Sequence, residues 1–196
     1  VGRGRLFVIS SPSGGGKTTV AARLQRRMPR LARSVSVTTR RPRAGERNGR
    51  DYHFLTRAAF ERLRRTGGLL EWARVHGAYY GTPKRPVLST LARGRHVLLN
   101  IDVQGARQIR QALGRQAVLI FLLPPSLEAL RERLVARRTE TAATLRRRLA
   151  AARRELACAK WYDYCVVNDR LSQTVAALAA LVSTPRRPVV RSRKGL

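Results

Sequence analysis

Apolar residues in this chain fall into short continuous runs separated by stretches with helical spacing. Leu6-Phe7-Val8-Ile9, Val97-Leu98-Leu99 with Ile101, and Ala117 through Leu123 have the length and content of strands buried on both faces. A last strand is read at Tyr164-Cys165-Val166-Val167-Asn168-Asp169. Between these runs, single helical stripes recur: Val20, Ala21, Leu24 and Met28 before Pro29; Leu127, Leu130 and Leu134 behind a Ser126 cap; Leu145, Leu149, Ala152 and Leu156; Val175, Leu178 and Leu181. A helix also follows Gln104-Gly105-Ala106 through Ile109 to Leu113. Strands alternating with helices predict an α/β fold on a parallel sheet. The pattern changes between Ser34 and Thr90. There a short alternation, Ser34 to Thr38, leads into an Arg-rich loop punctuated by Pro42, Gly45 and Gly49. A helix capped near Thr56 places Phe60 and Leu63 inward, and Gly67-Gly68 ends it. Leu69 to Ala73 and His76 to Thr82 follow, with Glu71 inside an apolar stretch where a carboxylate needs a partner.

Charge modifies this picture more than composition does. At 196 residues the chain suits one α/β domain with excursions, and its net charge is +30. Of 41 basic residues only Lys17, Lys84, Lys160 and Lys194 are lysines; the rest are arginines. Such a charge favours polyanions non-specifically, but the arginines are spread along the chain without an aromatic-interleaved patch or a nucleic-acid module. No apolar run approaches the roughly 18 residues of a membrane span. Val1 stands where an initiator Met would, and no signal peptide is read, so a cytoplasmic protein with reduced Cys158 and Cys165 is expected. Residues 184–196 turn to Pro and Arg and predict a basic, disordered tail.

The stretch with the most specific chemistry is Ser11-Pro12-Ser13-Gly14-Gly15-Gly16-Lys17-Thr18, entered directly from the first strand. A glycine-rich turn between strand and helix lets successive N–H groups converge on one anion, and the helix adds its own free N–H groups. Lys17 is placed for β- and γ-phosphate oxygens, and the Thr18 hydroxyl for Mg²⁺. The general pattern opens with Gly, where this chain has Ser11. In the Arg-rich loop, Arg40 and Arg43 flank Pro42 near Ser36, Glu46 and Tyr52, a mixture suited to a phosphate monoester.

Six segments in order resemble the guanylate kinase family. They are the phosphate loop, Ser36 to Glu46 with the preceding Ser34-Val35, Tyr79-Tyr80-Gly81-Thr82, Asn100 to Ala106, Arg137-Arg138-Thr139-Glu140-Thr141, and Val166-Val167-Asn168-Asp169. The resemblance spans nearly all of residues 5–183. It implies a P-loop three-layer core with a parallel sheet, an inserted mixed α/β GMP-binding subdomain and a helical lid. The parts would be core at 1–35, 91–125 and 158–183, the GMP subdomain at 36–90, and the lid at 126–157.

By the same resemblance Arg40, Arg43, Tyr52 and Tyr80 would hold the GMP phosphate, with Glu46 beside them. Ser36, Glu71, Thr82 and Asp102 would face guanine. Arg133, Arg137 and Arg148 would reach the transferring phosphoryl group, and Asn168 the adenine edge. Lys17, Arg40, Arg137 and Arg148 would supply most of the transition-state stabilisation. The family usually carries an acidic residue at Asn100 and Gly at Arg138. An amide at Asn100 still orients a Mg²⁺-bound water without adding charge, so activity is expected to be retained. The implied reaction is transfer of the γ-phosphoryl group of Mg·ATP to GMP or dGMP, in purine recycling, by a monomer or homodimer. Two other readings share the scaffold: a peptide-binding module, against which Lys17 and Thr18 speak, and a kinase for another phosphorylated acceptor, against which Glu71 and Asp102 speak.

Overall fold

The computed structural model describes residues 4–75, 77–136 and 142–184. In chain order the elements are β1 (Leu6–Ser10), α1 (Lys17–Arg27), β2 (Ala32–Arg33), β3 (Val37–Thr38), β4 (His53–Phe54), α2 (Arg57–Arg65), β5 (Leu69–Val75), β6 (Ala78–Pro83), α3 (Lys84–Ala92), β7 (Val97–Asn100), α4 (Val103–Leu113), β8 (Ala117–Leu123), α5 (Leu127–Val135), α6 (Ala142–Ala157), β9 (Tyr164–Val167) and α7 (Leu171–Ser183). The strand orders are β2-β7-β1-β8-β9 and β4-β3-β6-β5. Pairs β2–β7 and β8–β9 are parallel, whereas β3–β6 and β5–β6 are antiparallel and β3–β4 parallel, so the second sheet is mixed. The expected α/β class with a parallel sheet and a second, mixed sheet is what the chain adopts.

By contacts the chain divides into two compact units: Val1–Leu6 with Arg30–Ala117, and Phe7–Pro29 with Val118–Leu196. In the second unit β8 is buried at every position, as its unbroken apolar run requires. Phe121 meets the Tyr162 ring edge-on at 5.0 Å. Helices α5 and α6 close on each other through buried Leu130, Leu134 and Ala152, flanked by Leu145 and Leu149. The Ser126 hydroxyl accepts from Ala129 N–H at 3.0 Å, which fixes where α5 starts.

In the first unit Phe60 of α2 is fully buried and stacks on Tyr79 of β6, with centroids 5.4 Å apart. The expected Thr56 cap is present, accepting from Ala59 N–H at 3.2 Å. Of the short alternation read over Ser34 to Thr38, only Val37 and Thr38 form a strand, and a separate short strand, β2, precedes it. Ala32 pairs with Val97, but Val37 pairs with Gly81 and His53, so the chain leaves one sheet and enters the other within four residues. Helix α3 was not expected. Pro86 masks it in the sequence, yet in a first helical turn the missing N–H costs nothing. The 36–90 bound falls inside α3. His76, Arg137, Arg138 and the tail beyond Thr184 lie outside the described residues.

Candidate active site

In the second unit, β1 delivers a buried Ser11 into the turn, and Gly14 and Gly16 both adopt φ 87°, a region open to glycine at little cost. Gly15 N–H donates to Pro12 O at 2.9 Å, which tightens the loop. Ser11, standing where the pattern has Gly, turns its hydroxyl inward to donate to Pro12 O at 2.9 Å. Its own carbonyl accepts from Lys17 Nζ at 3.0 Å, so the lysine folds back across the loop. The Leu134 side chain would lie 2.9 Å from a Cβ at Gly14, so α5 packs directly on the loop. Ser13 N–H donates to Glu155 Oε2 of α6 at 3.2 Å, a carboxylate in contact with one of the loop's donors. Asn168, just past β9, donates from Nδ2 to Gly15 O at 2.8 Å, and its carbonyl accepts from Arg133 Nη2 at 3.0 Å. Arg148 is half-buried on α6, while Arg146, Arg147, Arg153 and Arg154 are exposed. Arg137 lies outside the described residues.

In the first unit, the Arg40 guanidinium is held from four directions. Nη2 meets both Glu46 oxygens at 2.8 and 2.9 Å, Nε donates to Tyr80 Oη at 3.2 Å, and Nη1 to Arg41 O at 2.7 Å. The Tyr52 ring centroid lies 5.5 Å from its central carbon. The hydrogen bond to Glu46 raises the Arg40 pKa, and the same bond depresses that of Glu46. Glu46 also accepts from Arg43 N–H at 2.7 Å, so its oxygens orient the loop. Burial raises the pKa of Tyr52, leaving a phenol that donates. Arg43 is exposed at the loop tip.

A second cluster in this unit centres on Glu71, which is 4% exposed. Glu71 of β5 and Thr82 of β6 are cross-strand partners, which brings the Thr82 hydroxyl to 2.6 Å from Glu71 Oε1. A Cβ at Gly105 would overlap Glu71 Oε2, so α4 has glycine where the carboxylate passes. Asp102 caps α4 by accepting from Gly105 N–H at 2.9 Å and Gln104 Nε2 at 3.2 Å. Burial, opposed by the Thr82 bond and reinforced by the Asp102 charge, pushes the Glu71 carboxyl up to about 7. Asn100, at the carboxyl end of β7, has a buried Oδ1 without a partner among the described residues. Ser36 is half-buried beside β3.

Residues 3–184 match the family model described as "Guanylate kinase". The chain belongs to the guanylate kinase family. It is 51% identical over 190 residues to a guanylate kinase of Oleidesulfovibrio alaskensis, covering 94% of this chain and 92% of that one. It is 52% identical over 178 residues to one of Gloeobacter violaceus, covering 91% and 86%. The crystal structure of guanylate kinase from Anaplasma phagocytophilum superposes with a TM-score of 0.78 at 36% identity, over 92% of this chain and 85% of that chain. The SH3-kinase fragment of tight junction protein 3 shares the fold alone, with a TM-score of 0.50 at 11% identity, over 93% and 57%.

Within this family frame, three contacts escaped the sequence reading. Gln108 of α4 accepts from Trp72 N–H at 3.1 Å and donates to Trp72 O at 2.6 Å, next to Glu71. Glu155 reaches Ser13, and Asn168 reaches Gly15. Each joins residues far apart in sequence, and no local pattern announces such a pair.

Proposed function

We propose that the chain transfers the γ-phosphoryl group of Mg·ATP to GMP, and also to dGMP, giving ADP and GDP. The observation that carries this reading is the buried Glu71–Thr82 pair in the same unit as the Arg40, Tyr52 and Tyr80 cluster. Guanine offers N1–H and N2–H₂ as adjacent donors, and a carboxylate accepts both; adenine lacks that donor pair. Arg40, Tyr52 and Tyr80 take the acceptor phosphate, with Arg43 at its rim. The acceptor oxygen is already anionic, so no general base is required.

On the donor side, the glycine-rich loop and the start of α1 offer N–H groups to the triphosphate, and Lys17 shifts from Ser11 O onto the phosphates. Arg133, Arg137 and Arg148 neutralise charge on the transferring group. Mg²⁺ would be held through the Thr18 hydroxyl, exposed in the first turn of α1 directly after the glycine-rich loop. Bound there with ATP, the ion would offset phosphate charge during transfer. The two free cysteines fit a reducing, cytoplasmic setting. Among the described residues no helix is long and apolar enough to cross a membrane.

The test is ADP release from Mg·ATP with GMP, dGMP, AMP, CMP or UMP as acceptor. Stimulation by GMP and dGMP alone, abolished in Lys17→Ala, is the expected result. Equal release with every acceptor, or a fully active Lys17→Ala, overturns the proposal.

A further inference from the structure

One carbonyl of the phosphate loop is fixed from outside the loop. Gly15 O can only accept, so the Asn168 atom 2.8 Å from it is the amide nitrogen, Nδ2. Asn168 is itself held in place: it is 6% exposed, its N–H donates to Leu123 O at 2.7 Å, and its carbonyl receives Arg133. A Cβ on Gly16 would lie 2.5 Å from Nδ2, so the residue that follows the fixed carbonyl must be glycine for the asparagine to approach.

A trans peptide carries its C=O and N–H on opposite edges, and no cis peptide occurs among the described residues. Fixing Gly15 O toward Asn168 therefore turns Gly16 N–H the other way, where no described residue accepts it. Without that restraint, a peptide between two glycines has little to stop it rotating. Rotation would present a carbonyl oxygen where the loop must offer a donor to an anion.

We infer that Asn168 is a positioning residue for phosphoryl transfer: its amide sets the Gly15–Gly16 peptide so that Gly16 N–H faces the donor's phosphates. This rests on the ATP reading of the loop. It differs from an adenine-edge contact, because the base plays no part in it and every polyphosphate ligand feels it equally.

The experiment measures Kd for Mg·ATP and for inorganic tripolyphosphate in wild type, Asn168→Asp and Asn168→Ala, with GMP binding measured in parallel. Asn168→Asp keeps the shape but sets an oxygen against Gly15 O. Both ligands are expected to weaken by a common factor of about tenfold, the scale of one hydrogen bond. GMP affinity stays within about twofold, since its cluster shares no hydrogen bond with Asn168. Loss of ATP affinity with tripolyphosphate unchanged identifies an adenine contact and overturns the inference. Unchanged binding of both ligands also overturns it. A wild-type chain that binds neither ligand sinks the ATP reading itself, and the inference with it. Should both variants fail to fold, the wild type with ADP bound decides: scalar coupling across the bond from Asn168 Nδ2 to the Gly15 carbonyl is expected, and its absence overturns the inference.

Discussion

At the scale of single residues, Glu71 sets a pH dependence of the fold. Burial holds its carboxyl at about 7, against an ordinary 4.5, despite the bond from Thr82. The folded pKa is the higher one, so the stability tied to the protonated form is complete below 4.5 and is lost as pH rises through 7. A shift of this size corresponds to about 3 kcal/mol across that window. Glu71→Gln, which still accepts from Thr82, is expected to flatten the fall in Tm between pH 5 and pH 8 and to melt higher than wild type at pH 8. Its KM for GMP should rise about a hundredfold or more, because the amide offers one acceptor and one donor to two guanine donors. A variant with the wild-type slope would show that the carboxyl does not titrate in that window. Glu71 was legible in the sequence as a carboxylate in an apolar run, but its partner Thr82 emerges only from the pairing of β5 with β6. Gly105 was not legible as its neighbour: nothing local says that a glycine in α4 leaves room for a side chain in β5.

At the scale of elements, β5 stands at the end of the order β4-β3-β6-β5, so among the described residues one of its edges lacks a strand partner. Gln108 supplies part of what a strand would, bonding both the N–H and the carbonyl of Trp72. Gln108→Leu leaves both groups unsatisfied and is expected to cost about 1–3 kcal/mol in denaturant unfolding. Because Glu71 precedes Trp72, the same change should raise KM for GMP more than it lowers kcat; an equal effect on kcat and KM would instead mark a general defect. Element starts were legible where the signal is local, as at Thr56 and Ser126, whose hydroxyls cap α2 and α5. Helix α3 was hidden by Pro86, since a proline reads as a breaker unless its position in the first turn is already known. Gln108 and Asn168 were hidden for another reason. Their partners lie 36 and 153 residues away, and only the folded chain brings such amides to a backbone carbonyl.

At the scale of the whole molecule, the net charge of +30 acts as a background field. Many arginines are exposed, among them Arg146, Arg147, Arg153 and Arg154. Binding to RNA is expected to ignore sequence and to fall steeply between about 50 and 200 mM salt, as counterion release requires. Filter binding with unrelated RNAs checks this; a salt-resistant preference for one sequence would reveal a dedicated RNA site instead. The near-absence of lysine has a consequence of a different kind. To a reagent that acylates side-chain amines, a protein with 41 basic residues offers only Lys17, Lys84, Lys160 and Lys194. One of these folds across the phosphate loop onto Ser11 O, while Lys84 and Lys160 stand exposed. Amine labelling, which blurs over dozens of sites on most basic proteins, spreads here over four side chains at most, so the fraction on Lys17, resolved by peptide mapping, reports on whether that loop is filled.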